Sequence, residues 1–204
     1  DTGPATTGFQ GDLSSVSVTL DAADTSGSRI QEGITLVSAG GTLSLAARTY
    51  PGSVNVNKAI NLKGAFTVSG TLTVSATGSS ISPGNSPGII NSGNLSLGAG
   101  TTTNMELNGT TVGTQYDQLN VTGTVSIGST AALNVTLGFV PSAGNAFTII
   151  NNDGADAVTG TFNGLTEGTV FYVGASSLKI SYVGGSGNDV VLTVVTLCNA
   201  VSIE

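Results

Sequence analysis

The sequence contains no histidine, no tryptophan and a single cysteine, and only 8% of its residues are charged. Without histidine the chain lacks the commonest general base and zinc ligand, and it cannot form a Ser-His-Asp triad. Cys198 has no second cysteine for a disulfide and no histidine to activate its thiol, so we predict a packed apolar residue. These absences argue against zinc chemistry and thiol catalysis.

Positive charge is also scarce, because five Lys and Arg stand against twelve Asp and Glu, which gives a net charge of −7. Such a chain repels nucleic acids and anionic lipids, so neither is an expected partner. A membrane-spanning helix needs roughly 20 apolar residues in succession. The longest apolar stretch, residues 190–201, is interrupted by Thr and Asn, so we predict no membrane span.

The sequence is rich in glycine, with 30 residues, and in Thr, Ser and Asn. This composition is typical of secreted and surface-displayed β proteins with many turns and a neutral polar face. The chain begins at Asp1, with neither a Met nor a basic-then-apolar leader. We therefore expect a mature or excised segment of a secreted or cell-surface protein, whose signal peptide has been removed.

A two-residue alternation of apolar and polar residues dominates the chain. It predicts short strands with one buried face and one solvated face, separated by turns of Gly, Pro and Asn. Strands of about three apolar-polar-apolar residues favour a stacked solenoid over a sandwich, which has longer strands. The alternating segments are residues 43–45, 54–56, 60–62, 66–68, 72–74, 95–97, 105–107, 119–121, 125–127, 133–137, 147–149, 170–172, 178–182 and 190–194.

One segment has helical spacing instead. Ile30, Ile34 and Val37 fall at i, i+4 and i+7. Ser26 and Ser28 are the N-cap candidates before them, and Gly40-Gly41 is a stop after them. This pattern predicts one helix over residues 28–39.

These patterns divide the chain into two parts. Residues 1–27 form an N-terminal segment with a first strand in the alternating run Val16-x-Val18-x-Leu20. Residues 28–204 form the stacked unit, with a capping helix at 28–41, strands at 42–194 and the end of the segment at 195–204.

One segment near the start of the chain resembles a known family. Residues 29–64 contain a helix of the Ile-Gln-x-x-Ile type, a Thr-Tyr-Pro turn and an Asn-Lys-x-Ile-x-Leu-x-Gly strand. This order resembles the opening of right-handed parallel β-helix proteins of the pectin-lyase-like superfamily. The resemblance implies an all-β fold, a right-handed parallel β-helix with a short N-terminal capping helix.

Residues 82–194 resemble a second group, the bacterial surface and autotransporter-like passenger proteins with β-strand repeats. This resemblance implies a structural or adhesive role outside the cell. The matching segments are residues 82–88, 116–123, 147–153, 160–162 and 184–192.

Four residues are candidate calcium ligands. Residues 184–192 fit one copy of the calcium-binding nonapeptide Gly-Gly-x-Gly-x-Asp-x-apolar-x, in which Asn188 and Asp189 would be ligands. A single copy supplies half a site, and the alternative interpretation is a Gly-rich turn between two strands. Asp153 and Asp156 offer two more carboxylates or, alternatively, belong to a solvated loop. Asp21 and Asp24 form a similar pair.

A polysaccharide lyase or hydrolase is the enzymatic alternative, because right-handed β-helices commonly host such activity and paired carboxylates can perform it. The sequence offers little of this machinery: Lys58 and Lys63 lie near turns, and Glu106 and Asp117 are isolated. Glu106 is expected to point outward from its strand, which makes it the best single candidate acid. We predict that the chain is not an enzyme.

The sequence thus predicts a non-enzymatic extracellular structural or adhesive module, such as a stalk, an adhesin or a fibre-forming subunit. The alternatives are a glycan-binding module or, less favoured, a polysaccharide lyase or hydrolase. The expected partners are a second copy, stacked head to tail through the apolar segment 190–198, and cell-surface glycans. No cofactor is expected other than calcium.

Overall fold

The computed structural model of the chain describes residues 15–18 and 28–196, which form an all-β structure with one short helix. The strand predicted at Val16–Leu20 is present up to Val18, whereas the Asp21 and Asp24 pair and Cys198 lie outside the described residues. The elements are β1 (Ser15–Val18), α1 (Ser28–Leu36), β2 (Thr42–Leu45), β3 (Thr49–Tyr50), β4 (Val54–Val56), β5 (Asn61–Gly64), β6 (Thr67–Val68), β7 (Leu72–Val74), β8 (Ser80–Pro83), β9 (Ile89–Ser92), β10 (Leu95–Leu97), β11 (Thr102–Leu107), β12 (Gln118–Val121), β13 (Val125–Ile127), β14 (Ala132–Leu137), β15 (Ala146–Asn152), β16 (Val170–Val173), β17 (Ser176–Gly184) and β18 (Asp189–Val195).

Helix α1 lies where the sequence predicts a helix, although it ends at Leu36 rather than at residue 39. Ile30 and Ile34 form its buried side, together with Val37 directly after the helix, and all three are at most 1% exposed. The helix packs against β4 and β1. On the solvent side of the helix, the Lys58 Nζ donates a hydrogen bond of 3.0 Å to the Thr35 carbonyl. No helix in the described part of the chain is long and apolar enough to cross a membrane.

The strands form three sheets, and from β2 to β15 successive strands belong to the three sheets in turn. Sheet I has the order β1-β2-β5-β8-β11-β14, sheet II the order β4-β7-β10-β13, and sheet III begins β3-β6-β9-β12-β15. All neighbouring strands in these runs are parallel. This recurrence of every third strand is compatible with a β-helix-like solenoid, and it confirms the predicted all-β class.

The apolar positions of the three sheets meet in one hydrophobic core. Burial alternates along the strands, as the two-residue period predicts, for example in β2, β5 and β11. Because neighbouring strands are in register, a buried residue packs on the buried residue of the next strand. In sheet I the buried row runs through Leu43, Leu62, Ile81 and Thr103, and it ends at the half-buried Leu133.

The C-terminal part differs from the predicted stack of strands up to residue 194. After β15 the strands pair antiparallel, and sheet III ends in the order β15-β18-β17-β16. The turn at residues 185–188 reverses the chain between β17 and β18, which a parallel stack does not do. Strand β18, which overlaps the predicted stacking segment 190–198, is therefore hydrogen-bonded on both sides and is not a free edge.

Polar columns cover the solvated face of sheet III. The Asn91 amide donates to Thr67 Oγ1 at 3.3 Å, Asn120 donates to Asn91 Oδ1 at 2.9 Å, and Asn151 donates to Asn120 Oδ1 at 2.7 Å. These residues are paired in register across β6, β9, β12 and β15. We call this row the sheet III amide column.

A shorter column runs over sheet I. Ser82 donates to Asn61 Oδ1, Asn104 donates to Ser82 Oγ, and Asn134 donates to Asn104 Oδ1, each at 3.0 Å. Side-chain hydrogen bonds therefore join β5, β8, β11 and β14 in addition to the backbone bonds of the sheet.

Candidate functional site

A polar cleft lies on the solvated face of sheet I. It encloses about 230 Å³, and one side of it is the sheet I column. Glu106 lies two residues beyond Asn104 on β11, so both side chains project from the same face. Glu106 is half-exposed, as the sequence predicts for an outward-facing residue. The polar residues that line the cleft are Lys63, Ser82, Asn104, Glu106, Asp117, Asn134 and Thr136.

Asp117 closes the inner end of this cleft. The side chain is only 1% exposed, and its Oδ1 and Oδ2 accept hydrogen bonds of 2.8 Å from the backbone N–H groups of Gly88 and Glu106. In return, the Asp117 N–H donates to the Glu106 carbonyl at 3.0 Å. Asp117 thereby joins β11 to the segment that leads into β9.

Burial raises the pKa of Asp117 from its ordinary 3.8 to about 7. The loss of water around the carboxylate is the largest cause, and the negative charge of Glu106 acts in the same direction. The two backbone N–H donors and the Lys63 ammonium oppose it, because they favour the charged form. Asp117 is therefore partly protonated near neutral pH.

The loop between β11 and β12 positions Asp117. Gln115 folds back so that its Oε1 accepts hydrogen bonds from the backbone N–H groups of Thr110 and Thr111, at 3.1 and 3.0 Å. Tyr116 packs into the core, with its ring edge on Phe147 at a centroid distance of 5.4 Å. Because Tyr116 is fixed in the core, Asp117 lies against β11, where it contacts the backbone of Glu106.

The structure thus brings together residues that the sequence predicts to be isolated. Lys63, Glu106 and Asp117 come from three separate segments and line one cleft. An ammonium group, two carboxyl groups and two amides offer both donors and acceptors to a hydroxyl-rich ligand. Both Asp117 oxygens already accept backbone N–H groups, so Lys63 and Glu106 are the charged groups better placed to contact a ligand.

The predicted calcium ligands also lie close together, at the turn between β17 and β18. Asn188 is 3% exposed, and its Nδ2 donates to the carbonyls of Asp153, Gly154 and Asp156 at 3.2–3.3 Å. Asp189 is 5% exposed, and its Oδ1 accepts the Asn152 N–H at 2.8 Å. Asn188 and Asp189 therefore hold the loop after β15 against the turn.

In this arrangement Asp153 and Asp156 face Asn188 through their backbone, and both residues are exposed. The second oxygen of Asp189, Oδ2, accepts the Ser186 N–H at 3.3 Å. No group of three or more His, Cys, Asp or Glu side chains suited to a metal occurs among the described residues. The turn interpretation accounts for these contacts, and calcium binding stays a prediction.

Comparisons with known proteins add no information on function, so the inference below depends on the geometry of the structure. No protein-family model, no curated protein and no solved structure matches the chain.

Proposed function

We propose that the chain is a non-enzymatic extracellular structural or adhesive module, in which the three sheets wrap one core as a right-handed parallel β-helix. The return of every third strand to the same sheet supports this architecture. Its handedness follows from the strong right-handed preference of connections between parallel strands in one sheet. Such a unit can be long and rigid without a larger globular core.

The sheet III amide column is the observation that best supports a structural role. Its side chains hydrogen-bond to one another along the stack, so few of their donors and acceptors remain free to contact a substrate. Asn120 occupies the middle, where it donates to Asn91 and accepts from Asn151. Each bond adds side-chain order to β6, β9, β12 and β15, which are only two to seven residues long. The column thus favours rigidity over catalysis.

Replacing Asn120 by Ala is expected to lower the free energy of unfolding by about 1–3 kcal/mol, because two hydrogen bonds are lost together. Urea unfolding followed by circular dichroism measures this loss. The matched control is Asn163→Ala, at an exposed position on the loop after β15. Equal stability of the two variants would show that the column adds nothing to the stack.

The non-enzymatic role is tested by incubating the purified chain with a panel of cell-surface polysaccharides. We expect polysaccharides of unchanged length. Shortened polysaccharide in the presence of the chain would contradict the non-enzymatic proposal.

We propose glycan binding as a second candidate function, because of the cleft over sheet I. Asn104 and Asn134 line it beside Lys63 and Glu106, and together they can bond the alternating hydroxyl donors and acceptors of a sugar. The net negative charge of the chain favours a neutral saccharide over an acidic one.

If the cleft binds sugar, the double variant Lys63→Ala and Glu106→Gln is expected to weaken binding by at least about tenfold, the equivalent of about 1.4 kcal/mol. Calorimetric titration with neutral oligosaccharides measures the affinity. Lys179→Ala, which removes an exposed lysine of β17 outside the cleft, is the matched control. Equal affinity of all three proteins would place any sugar site elsewhere.

A further inference from the structure

Strand β14 forms the C-terminal edge of sheet I. Within the described residues it pairs with β11 and with no other strand. Its core-facing side chains Leu133, Val135 and Leu137 are only half-buried, whereas Met105 and Leu107 at the equivalent places in β11 are at most 1% exposed. The core is therefore less covered under β14 than under its neighbour β11.

The outer side of β14 has unpaired backbone groups. The N–H groups of Ala132 and Gly138, at either end of the strand, donate to carbonyls on the β11 side at 2.8 and 2.9 Å. Because N–H directions alternate along a strand, those of Leu133, Val135 and Leu137 point to the open side. These groups can bond the backbone of one further strand.

The other two sheets end differently in the described part of the chain. Sheet III continues into β18, β17 and β16. The last strand of sheet II, β13, is bonded by Thr159, whose N–H donates to Val125 and whose carbonyl accepts from Ile127, at 2.9 and 2.8 Å. In sheet I the corresponding bond comes just before β14, where the Asn163 N–H donates to the Ala131 carbonyl at 2.7 Å. Among the described residues, the outer backbone groups of β14 itself have no strand partner.

This edge also lacks the features that protect exposed strands from pairing. Natural edge strands are commonly protected by lysine, proline or a bulge. Strand β14 has the sequence Ala-Leu-Asn-Val-Thr-Leu, without charge or proline, and its pairing with β11 runs without a register shift. The edge is therefore a suitable template for another strand.

The opposite edge of the same sheet is the strand that fits it best. Strand β1 is parallel to the rest of sheet I and pairs with β2. The in-register row of sheet I that ends at Leu133 begins at Val16, so an added β1 would continue an apolar row. The adjacent row would place Ser17 beside Asn134, at the open end of the sheet I column.

We propose that β14 of one copy pairs in parallel with β1 of a second copy, so that sheet I continues from molecule to molecule. The contact is head to tail, and such contacts give open chains unless the rotation closes a ring. It adds a specific interface to the proposed structural role. It also differs from the interface predicted from sequence, because β18 is an interior strand.

Proline substitution tests the interface. Val135→Pro removes an N–H that points to the open side, whereas Thr136→Pro removes one that faces β11. In sedimentation measurements over a concentration series, we expect the parent chain to form dimers and longer species. Val135→Pro is expected to raise the dissociation constant at least about tenfold with little change in melting temperature, and Thr136→Pro to lower the melting temperature.

A parent chain that stays monomeric at every concentration would overturn the interface. So would assembly that survives in folded Val135→Pro. Either result is separate from the proposed non-enzymatic role, since the polysaccharide incubation does not depend on assembly.

Cross-linking identifies the partner strand, and it does not depend on how well the proline variant folds. In a Cys198→Ser background, chains with Asn134→Cys are mixed with chains with Ser17→Cys and treated with a short thiol cross-linker. We expect a mixed dimer that contains one of each chain. Cross-linked dimers from Asn134→Cys chains alone would instead indicate two-fold pairing of β14 with itself, and would overturn the proposal.

Discussion

Replacing Phe147 by Ala is expected to lower the free energy of unfolding by about 3–5 kcal/mol, the usual cost of removing a buried phenylalanine. Phe147 is fully buried on β15, where the parallel strands give way to the antiparallel ones. Its ring meets Tyr116 edge to face at 5.4 Å and Phe139 at 6.2 Å. The cavity left by Ala would separate the β11–β12 loop from the C-terminal strands.

Chemical unfolding of the variant measures this loss, and Phe171→Ala is the matched control. Phe171 lies on β16 and is only half-buried, so the same substitution should cost clearly less. If the two variants lost equal stability, the contact between the loop and β15 would not be a centre of the core.

The second large effect concerns Asp117. Asp117→Ala leaves the N–H groups of Gly88 and Glu106 without an acceptor, which is expected to cost about 2–6 kcal/mol at 1–3 kcal/mol for each buried group. Asp117→Asn retains one acceptor oxygen and should cost less. Urea unfolding of both variants at pH 5 measures the difference.

The same residue predicts how stability depends on pH. The folded pKa of Asp117 is about 7 against an ordinary 3.8, so between these values the folded chain holds a proton that the unfolded chain releases. The contribution of Asp117 to stability is therefore full below about pH 4 and is lost as the pH rises through 7. Each pKa unit of difference is worth a tenfold change in the unfolding equilibrium.

The control for this pH dependence is Asp117→Asn, which cannot titrate. Thermal unfolding between pH 4 and pH 8 should show a smaller fall in melting temperature for the variant than for the parent. Parallel curves for the two proteins would mean that Asp117 titrates alike in the folded and unfolded chains.

The short strands were predictable because burial follows the two-residue period. Residues 54–56, 72–74, 95–97 and 125–127 each form one strand with both apolar ends buried. The helix was predictable for a similar reason, since Ile30, Ile34 and Val37 need one common face. In both cases the signal lies within a few adjacent residues.

Strands β3, β8 and β9 were not predicted. Strand β3 is only Thr49–Tyr50, inside a Thr-Tyr-Pro sequence that is typical of a turn. Strand β8 ends at Pro83, at the start of a Pro- and Gly-rich segment. These strands depend on pairing with distant neighbours, which local turn residues do not reveal.

The direction of pairing was also beyond the sequence pattern. Strands β15, β17 and β18 alternate as the earlier strands do, yet they pair antiparallel. A period of two is the same for both kinds of sheet. Only the turn at residues 185–188 indicates a reversal, and the interpretation of this segment as a Gly-rich turn is the part of the sequence analysis that agrees with it.

The candidate site was predicted least well. Glu106 was recognised as an outward-facing acid, but Asp117 is 11 residues away along the chain and Lys63 is further still. Their convergence depends on the register of β5 with β8 and on the fold of the loop that ends at Tyr116. Both are long-range properties, which a single sequence does not encode in any short motif.

The sheet III amide column has a polarity. Asn151 donates to Asn120, Asn120 to Asn91 and Asn91 to Thr67, so every amide dipole points the same way along the stack. Dipoles aligned in series polarise one another, and each added amide strengthens the bonds already made. The two ends of the column are therefore electrically unlike, with a side-chain hydroxyl at Thr67 and an amide at Asn151.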